Sequence, residues 1–165
     1  MSESGTEAVV RSGAALHMSA EHFPVVIVTW FGSPSADMVP EYIGWLTKQG
    51  QRAADEDTKL VLLGDTAAIE VQPGPEMRRA MVRAVRDFAD AYPQFLGGAT
   101  VVSNPLVRTA LRMALMLLPK SFDFKPARTV EQALEHAFGL LDAAQVARPP
   151  RLKSTDYRRP VRPTW

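Results

Sequence analysis

Cysteine is absent from the sequence, and histidine occurs only three times. Without cysteine the chain can form no disulfide, thiolate metal site, cysteine-ligated iron–sulfur cluster or cysteine nucleophile. Nothing in it indicates an oxidising compartment. His17, His22 and His136 do not suggest the three or four converging ligands that a zinc site requires. We therefore expect ordinary histidines, no metal and no cofactor.

Hydrophobic runs long enough to cross a bilayer are also missing. The most apolar windows, Val25–Phe31 and Leu106–Leu118, are shorter than the ~20 residues of a membrane-spanning helix. The first residues, MSESGTEAVVRSG, are polar and include acids, unlike the basic start and apolar core of a signal peptide. The sequence therefore predicts a cytoplasmic protein.

Recognisable catalytic motifs are absent as well. The sequence contains no nucleophile elbow, no Walker loop, no dinucleotide fingerprint and no HExxH. Each of these chemistries needs a particular loop or helix spacing to bring backbone or ligands close to the reacting group. We therefore predict no catalytic residues and favour a role other than that of an enzyme.

Strand and helix patterns alternate along the chain, of which 46% is hydrophobic. After an edge strand around Leu16 and Met18, short β-branched runs are typical of strands buried on both faces. Amphipathic helical patterns follow each run. The predicted central strands cover 23–31, 60–63, 98–103 and 122–125, and the predicted helices cover 37–54, 75–91, 106–118 and 129–144. This order predicts an α/β fold with a single mixed, mostly parallel sheet of four to five strands and about four helices.

Several element boundaries have a local chemical signal. The pair Gly64-Asp65 is expected to end the second central strand. Asn104, followed by proline, is typical of a helix N-cap. Thr129 and Gln132 have the spacing of a capping box and predict the start of the last helix.

The strand and helix order resembles that of STAS domains, and more specifically of the SpoIIAA-like bacterial proteins, which also resemble lipid-carrier domains of the CRAL-TRIO type. The stretches that carry the resemblance span residues 15–144 and are VVIVTWFG, KLVLLGDTAAIE, PGPEMRRAMVRAVRDFA, GATVVSNPLVRTALRMALMLLP and FDFKPARTVEQALEHAF. The resemblance implies a mostly non-catalytic domain that binds partner proteins, nucleotides or apolar ligands.

The same resemblance makes Thr66 a candidate phospho-acceptor. Signalling members of the family are phosphorylated on a serine or threonine between a central strand and the next helix, and the nearest match here is Asp65-Thr66. This chain departs from the pattern, because the eight residues TAAIEVQP precede Gly74 and the helix. The alternative is that Thr66 stabilises a turn beside Asp65.

The helix predicted over Leu106–Leu118 is apolar almost all round. Such a helix is either covered by the core, with its arginines reaching outward, or presents an apolar face to a partner, a second copy or a lipid. Both interpretations are open. The candidate partner-binding residues on this helix are Leu106, Arg108, Leu111, Arg112 and Leu115.

The end of the chain differs in composition from the rest. We expect a disordered segment over 1–7, a STAS-like domain over 8–146 and a basic, proline-rich tail over 147–165. The tail holds six of the 19 lysines and arginines and one acid, so it carries a charge of +5 against −4 for the rest. The candidate partner-binding residues of the tail are Arg151, Lys153, Tyr157, Arg158, Arg159, Arg162 and Trp165.

The tail admits several partners. Its basic and aromatic residues can bind nucleic acid or an anionic membrane surface. An extended peptide of this charge can instead lie along an acidic protein surface, including that of a neighbouring copy of the chain. A merely solubilising tail is the simplest alternative.

Two functional hypotheses follow from the sequence. The first is a non-enzymatic STAS-like regulatory or scaffolding module that binds a protein partner, or itself, through the apolar helix and the basic tail. The second is a CRAL-TRIO-like carrier or sensor of a small apolar ligand or lipid, which requires an apolar cavity.

Overall fold

The computed structural model of the chain describes residues 5–116 and 123–164. Its six strands form one mixed sheet with helices on both faces. The strands are β1 (Thr6–Arg11), β2 (Ala14–Ser19), β3 (Val25–Gly32), β4 (Leu60–Ile69), β5 (Phe95–Val101) and β6 (Asp123–Ala127), and the helices are α1 (Val39–Asp55), α2 (Pro75–Ala91), α3 (Pro105–Met116) and α4 (Val130–Ala143). The predicted α/β class with a mixed, mostly parallel sheet is confirmed.

The spatial order of the strands is the same as their order in the chain. β1, β2 and β3 are antiparallel neighbours, whereas β3 to β6 are parallel to one another. In the described residues each parallel crossover contains an α-helix, the usual connection between parallel strands.

The sequence did not predict β1, which brings the number of strands to six. It pairs with β2 across a turn at Ser12-Gly13, where Gly13 has a φ of +75°. β1 begins at Thr6, so Thr6 and Glu7 lie in the sheet rather than in the disordered segment expected over 1–7. This strand lies at an open edge of the sheet, so half of its residues are exposed and none is fully buried, and it lacks the long apolar run that reveals a central strand.

The two faces of the sheet carry separate cores. Along β3, Val26 and Val28 lie on the side of the sheet that α1 and α2 cover, whereas Val25 and Ile27 lie on the side of α4. This division follows from the alternation of side chains along a strand. It explains why every residue of β3 and each of the first four residues of β4 is buried, as expected for strands covered on both sides.

The second face has only one helix among the described elements. α4 packs against β4, β5 and β6, and the tail continues from it across the same face towards β2. Leu152 of the tail is 5% exposed and belongs to the same core cluster as Ile27. The tail is therefore part of the described fold and covers sheet surface that none of the described helices covers.

β4 is longer than the sequence predicts. Gly64-Asp65 does not end it, since the strand continues to Ile69. Asp65 pairs in register with Thr29 of β3 and with Val101 of β5, so both neighbours hold it inside the sheet. The expected end at Leu63 is wrong because the charge of Asp65 is neutralised from elsewhere in the chain, as described below.

Two predicted helix caps are present. The side chain of Asn104 accepts a hydrogen bond from the backbone N–H of Leu106 at 2.9 Å. The hydroxyl of Thr129 accepts one from the N–H of Gln132 at 3.2 Å. No helix within the described ranges is long and apolar enough to cross a membrane.

Candidate functional site

The first candidate site is the apolar surface of α3. Leu106, Met113 and Met116 are 81%, 64% and 78% exposed, and we call these three residues the α3 face. Leu111 and Leu115 are half-buried. α3 packs on β6, and only part of its apolar surface is covered.

The two arginines of α3 have different surroundings. Arg108 is half-buried, and its Nη1 donates hydrogen bonds to the carbonyls of Val102 and Ser103 at 3.0 and 3.1 Å, so it ties the helix to the end of β5. Arg112 is exposed. Of the five candidates on this helix, the structure therefore places Leu106 and Arg112 at the surface. The last two residues of the predicted helix, 117 and 118, lie outside the described residues.

A buried ion pair joins the tail to the sheet. Asp65 is fully buried in β4, and Arg159 bonds both of its carboxylate oxygens, with Nε at 2.6 Å from Oδ2 and Nη2 at 3.2 Å from Oδ1. Oδ1 also accepts the backbone N–H of Ala67 at 3.1 Å. The hydrogen bond to Asp65 raises the pKa of Arg159, against the opposing effect of burial. This two-pronged contact keeps the carboxylate satisfied inside the sheet.

Other tail residues bond the body at the surface. Nη1 of Arg162 donates to Glu70 at 2.7 Å, and Arg148 makes a two-pronged contact with Asp142 through Nε at 3.0 Å and Nη2 at 2.5 Å. The Ser154 hydroxyl donates to Glu135. The acidic body thus attracts the basic tail within one chain. The sequence had suggested such an attraction for a neighbouring copy.

Tyr157 also faces inward. It packs against the core on the α4 side of the sheet. Burial raises the pKa of its hydroxyl, and the nearby Asp65 adds a smaller contribution. Tyr157, Arg159 and Arg162, which were candidates for partner binding, therefore contact the body of their own chain. Trp165, the last candidate, lies outside the described residues.

The remaining tail candidates surround a cleft. Arg151, Lys153 and Arg158 line a space of about 470 Å³ between the tail and β2, and we call it the tail cleft. His17 and His22 line it from the body. These two histidines gave no metal signature in the sequence. Among the described residues, no group of three histidine, aspartate or glutamate side chains is placed to hold a metal ion.

Thr66 lies within a strand. It is the seventh residue of β4, it is half-buried, and its hydroxyl donates to the carbonyl of Val101 at 2.5 Å. A phosphoryl group on this oxygen would remove that hydrogen bond between β4 and β5. The role of Thr66 as phospho-acceptor stays a prediction.

Asp65 is the residue that sequence reasoning missed as a site. Its position in an otherwise apolar strand was a signal, because a carboxylate inside a covered sheet requires a cation. Its partner could not be identified from spacing, since Arg159 lies 94 residues further along the chain.

No protein-family model matches the sequence, and no curated protein is recognisably similar to it. A solved structure of an uncharacterised DUF3478-family protein from Shewanella loihica PV-4, described as having a SpoIIAA-like fold, is 16% identical. The similarity covers 82% of this chain and 97% of that chain, with a TM-score of 0.50. An anti-sigma factor antagonist from Mycobacterium paratuberculosis is 17% identical over 81% of this chain and 95% of that chain, with a TM-score of 0.41.

The first of these structures identifies the fold. The chain has a SpoIIAA-like fold, as the sequence resemblance implied.

Proposed function

We propose that this chain is a non-enzymatic regulatory or scaffolding module that binds a protein partner through the α3 face. The observation that carries the proposal is the exposure of Leu106, Met113 and Met116 on one helix. Large exposed apolar groups that cluster on one element mark interaction sites more often than isolated ones do. Methionines suit such a surface because their side chains adapt to different partners.

Charge indicates which kind of partner fits. α3 contains two arginines and no acidic residue, and Arg112 is exposed beside the α3 face. A partner with an apolar groove and an acidic rim would match this surface, because complementary charges at the rim steer association and fix orientation.

The tail has a supporting part in this proposal. Three of its cations are paired with carboxylates of the body, so the tail as a whole is not a free arm that waits for a partner. Partner contacts from the tail would come from its unpaired cations or follow its release.

The carrier hypothesis gains nothing from the tail cleft. A carrier of lipid needs an apolar cavity, whereas the tail cleft is lined mainly by charged and polar side chains.

Native mass spectrometry of the full chain, purified gently from its own cells, tests the proposal. We expect a complex with a second protein. Met113→Glu should weaken it by about tenfold or more, because an unpaired carboxylate in an apolar contact costs more than the ~1.4 kcal/mol of one decade in Kd.

Val82→Glu is the matched control, since Val82 is exposed on α2 and receives the same charge. It should leave the complex intact. A bare monomer, or a complex that tolerates Met113→Glu as well as Val82→Glu, would contradict the proposal. A multiple of the chain's own mass that Met113→Glu dissociates would identify the partner as a second copy.

A further inference from the structure

We propose that the tail cleft binds a small hydroxylated molecule that carries one phosphate or carboxylate group. The cleft has a volume of about 470 Å³, within the range of about 300–1,000 Å³ that is usual for small-molecule sites. It is separate from the α3 face and shares no residue with it, so this inference goes beyond the proposed function and does not depend on it.

The six cations of the tail divide into two sets. The cations that bond carboxylates of the body are Arg148, Arg159 and Arg162. The cations that line the tail cleft are Arg151, Lys153 and Arg158. Among the described residues, no carboxylate lies within ion-pair distance of any of the second three. The first set holds the tail in place, and the second set is left to face a common space.

Arg158 is oriented before any ligand arrives. Its Nη1 donates to the carbonyls of Thr155 at 3.3 Å and Tyr157 at 3.0 Å. These contacts use one nitrogen of the guanidinium and leave the others to bind. A guanidinium presents paired N–H donors that match the oxygens of a phosphate or carboxylate. Preorganisation of this kind reduces the entropy lost on binding.

Two carboxylates in the same cleft limit the charge of the ligand. Glu21 and Asp156 face the space together with the three cations, so the lining carries a net charge of +1 when the histidines are neutral. Burial lowers the pKa of His17, and the opposing effect of Glu21 is smaller. The lowered pKa keeps this imidazole neutral near pH 7. Carboxylates and a neutral imidazole can accept hydrogen bonds from hydroxyl groups. The lining therefore fits one anionic group joined to a polyol.

The cleft exists only while the tail is docked. One wall belongs to the tail and the other to β2 and the residues that follow it. A ligand that contacts both walls binds the docked arrangement and raises the stability of the chain as its concentration rises. Binding should therefore increase the melting temperature as well as release or absorb heat.

Isothermal titration of the full chain with ribose 5-phosphate, gluconate and ribose, in low-salt buffer free of phosphate, tests this site. We expect saturable binding of one equivalent of ribose 5-phosphate, of gluconate or of both, and a rise in melting temperature with the same dependence on concentration. Neutral ribose should bind at least tenfold more weakly, because it cannot pair with the cations.

Lys153→Gln should weaken binding of the anion by at least fivefold. Lys48→Gln is the control for net charge, since Lys48 lies on α1 outside the tail cleft and is well exposed, although it also loses a surface ion pair with Glu7. It should change the Kd by less than twofold. Circular dichroism of both variants would confirm that each is folded.

The proposal fails if neither anion binds, if ribose binds as tightly as ribose 5-phosphate, or if Lys48→Gln and Lys153→Gln weaken binding equally. Vesicles of phosphatidylcholine with and without phosphatidate separate the two sources of a phosphate group. Binding to the phosphatidate vesicles alone, with no binding of the soluble anions, would also overturn the proposal of a small soluble ligand.

Discussion

Asp65 is a charged residue in the part of β4 that pairs with both β3 and β5. Its carboxylate is fully buried, whereas the side chain of Arg159 is 38% exposed. The two partners therefore differ in what happens when one is lost. A lone Arg159 can be solvated by water, but a lone Asp65 remains inside the sheet without its counter-ion.

Arg159→Gln should lower the free energy of unfolding by about 1–3 kcal/mol, the usual cost of leaving a buried acceptor unsatisfied. Urea denaturation of the variant measures this change. Arg151→Gln makes the same substitution at an exposed tail position without an ion pair and should change stability by less than about 0.5 kcal/mol.

A double-mutant cycle separates the lost pair from any other effect of the substitution. In an Asp65→Asn background, Arg159→Gln should cost clearly less than it does in the native chain, because no buried charge is left unpaired. Equal costs in the two backgrounds would contradict the account of the pair.

The elements themselves were largely predictable. Short apolar runs revealed β3, β4 and β5, and the capping signals at Asn104 and Thr129 located the starts of α3 and α4. These features depend on neighbours within a few residues, which is the range at which a sequence pattern can be interpreted. The far half of β4 and the whole of β1 depend on pairing with other strands, and the docked tail depends on Asp65, so no local pattern could reveal them.

β5 contains a local irregularity that only glycine permits. Leu60 pairs with Phe95 but Val61 pairs with Gly97, so one residue of β5 is left out of the register. Gly97 and Gly98 have φ values of +112° and +152°. A Cβ on Gly98 would lie 1.8 Å from the carbonyl oxygen of Leu62. The two glycines therefore let the backbone of β5 approach both of its neighbours.

Gly98→Ala should destabilise the fold by more than about 4 kcal/mol, at the extreme of single substitutions, because the clash is with backbone of a central strand. Thermal and urea denaturation measure the loss, and a chain that fails to fold meets the expectation. Gly44→Ala is the control within α1, where nothing lies near the added methyl group. It should raise stability by about 0.5–1 kcal/mol, and a mild effect of Gly98→Ala would refute the proposed close approach.

At the scale of the whole molecule, the tail belongs to the domain that it was expected to follow. The described fold leaves part of one sheet face without a helix, and Leu152 and Tyr157 pack there. The composition of the tail concealed this role, since a proline-rich basic segment cannot bury enough apolar surface to fold alone. It acquires its structure from a face that was already formed.

Truncation after Val146 should lower the free energy of unfolding by roughly 3–6 kcal/mol. The truncated chain loses the buried side chain of Leu152, and Asp65 loses the cation that pairs with it. Chemical denaturation of the truncated chain measures this. Asp65→Asn in the truncated chain should restore part of the loss. If the truncated chain is as stable as the full one, the tail is not part of the core.

The long separation between Asp65 and Arg159 gives the chain a built-in order of events during its synthesis. The ribosome adds Arg159 94 residues after Asp65, which takes roughly 5–20 s at ordinary bacterial and eukaryotic rates of translation. From the completion of β5 until Arg159 is added, β3, β4 and β5 can assemble only around a carboxylate that has no counter-ion. A nascent chain should therefore keep its sheet loose, and within reach of chaperones, until the tail has left the ribosome.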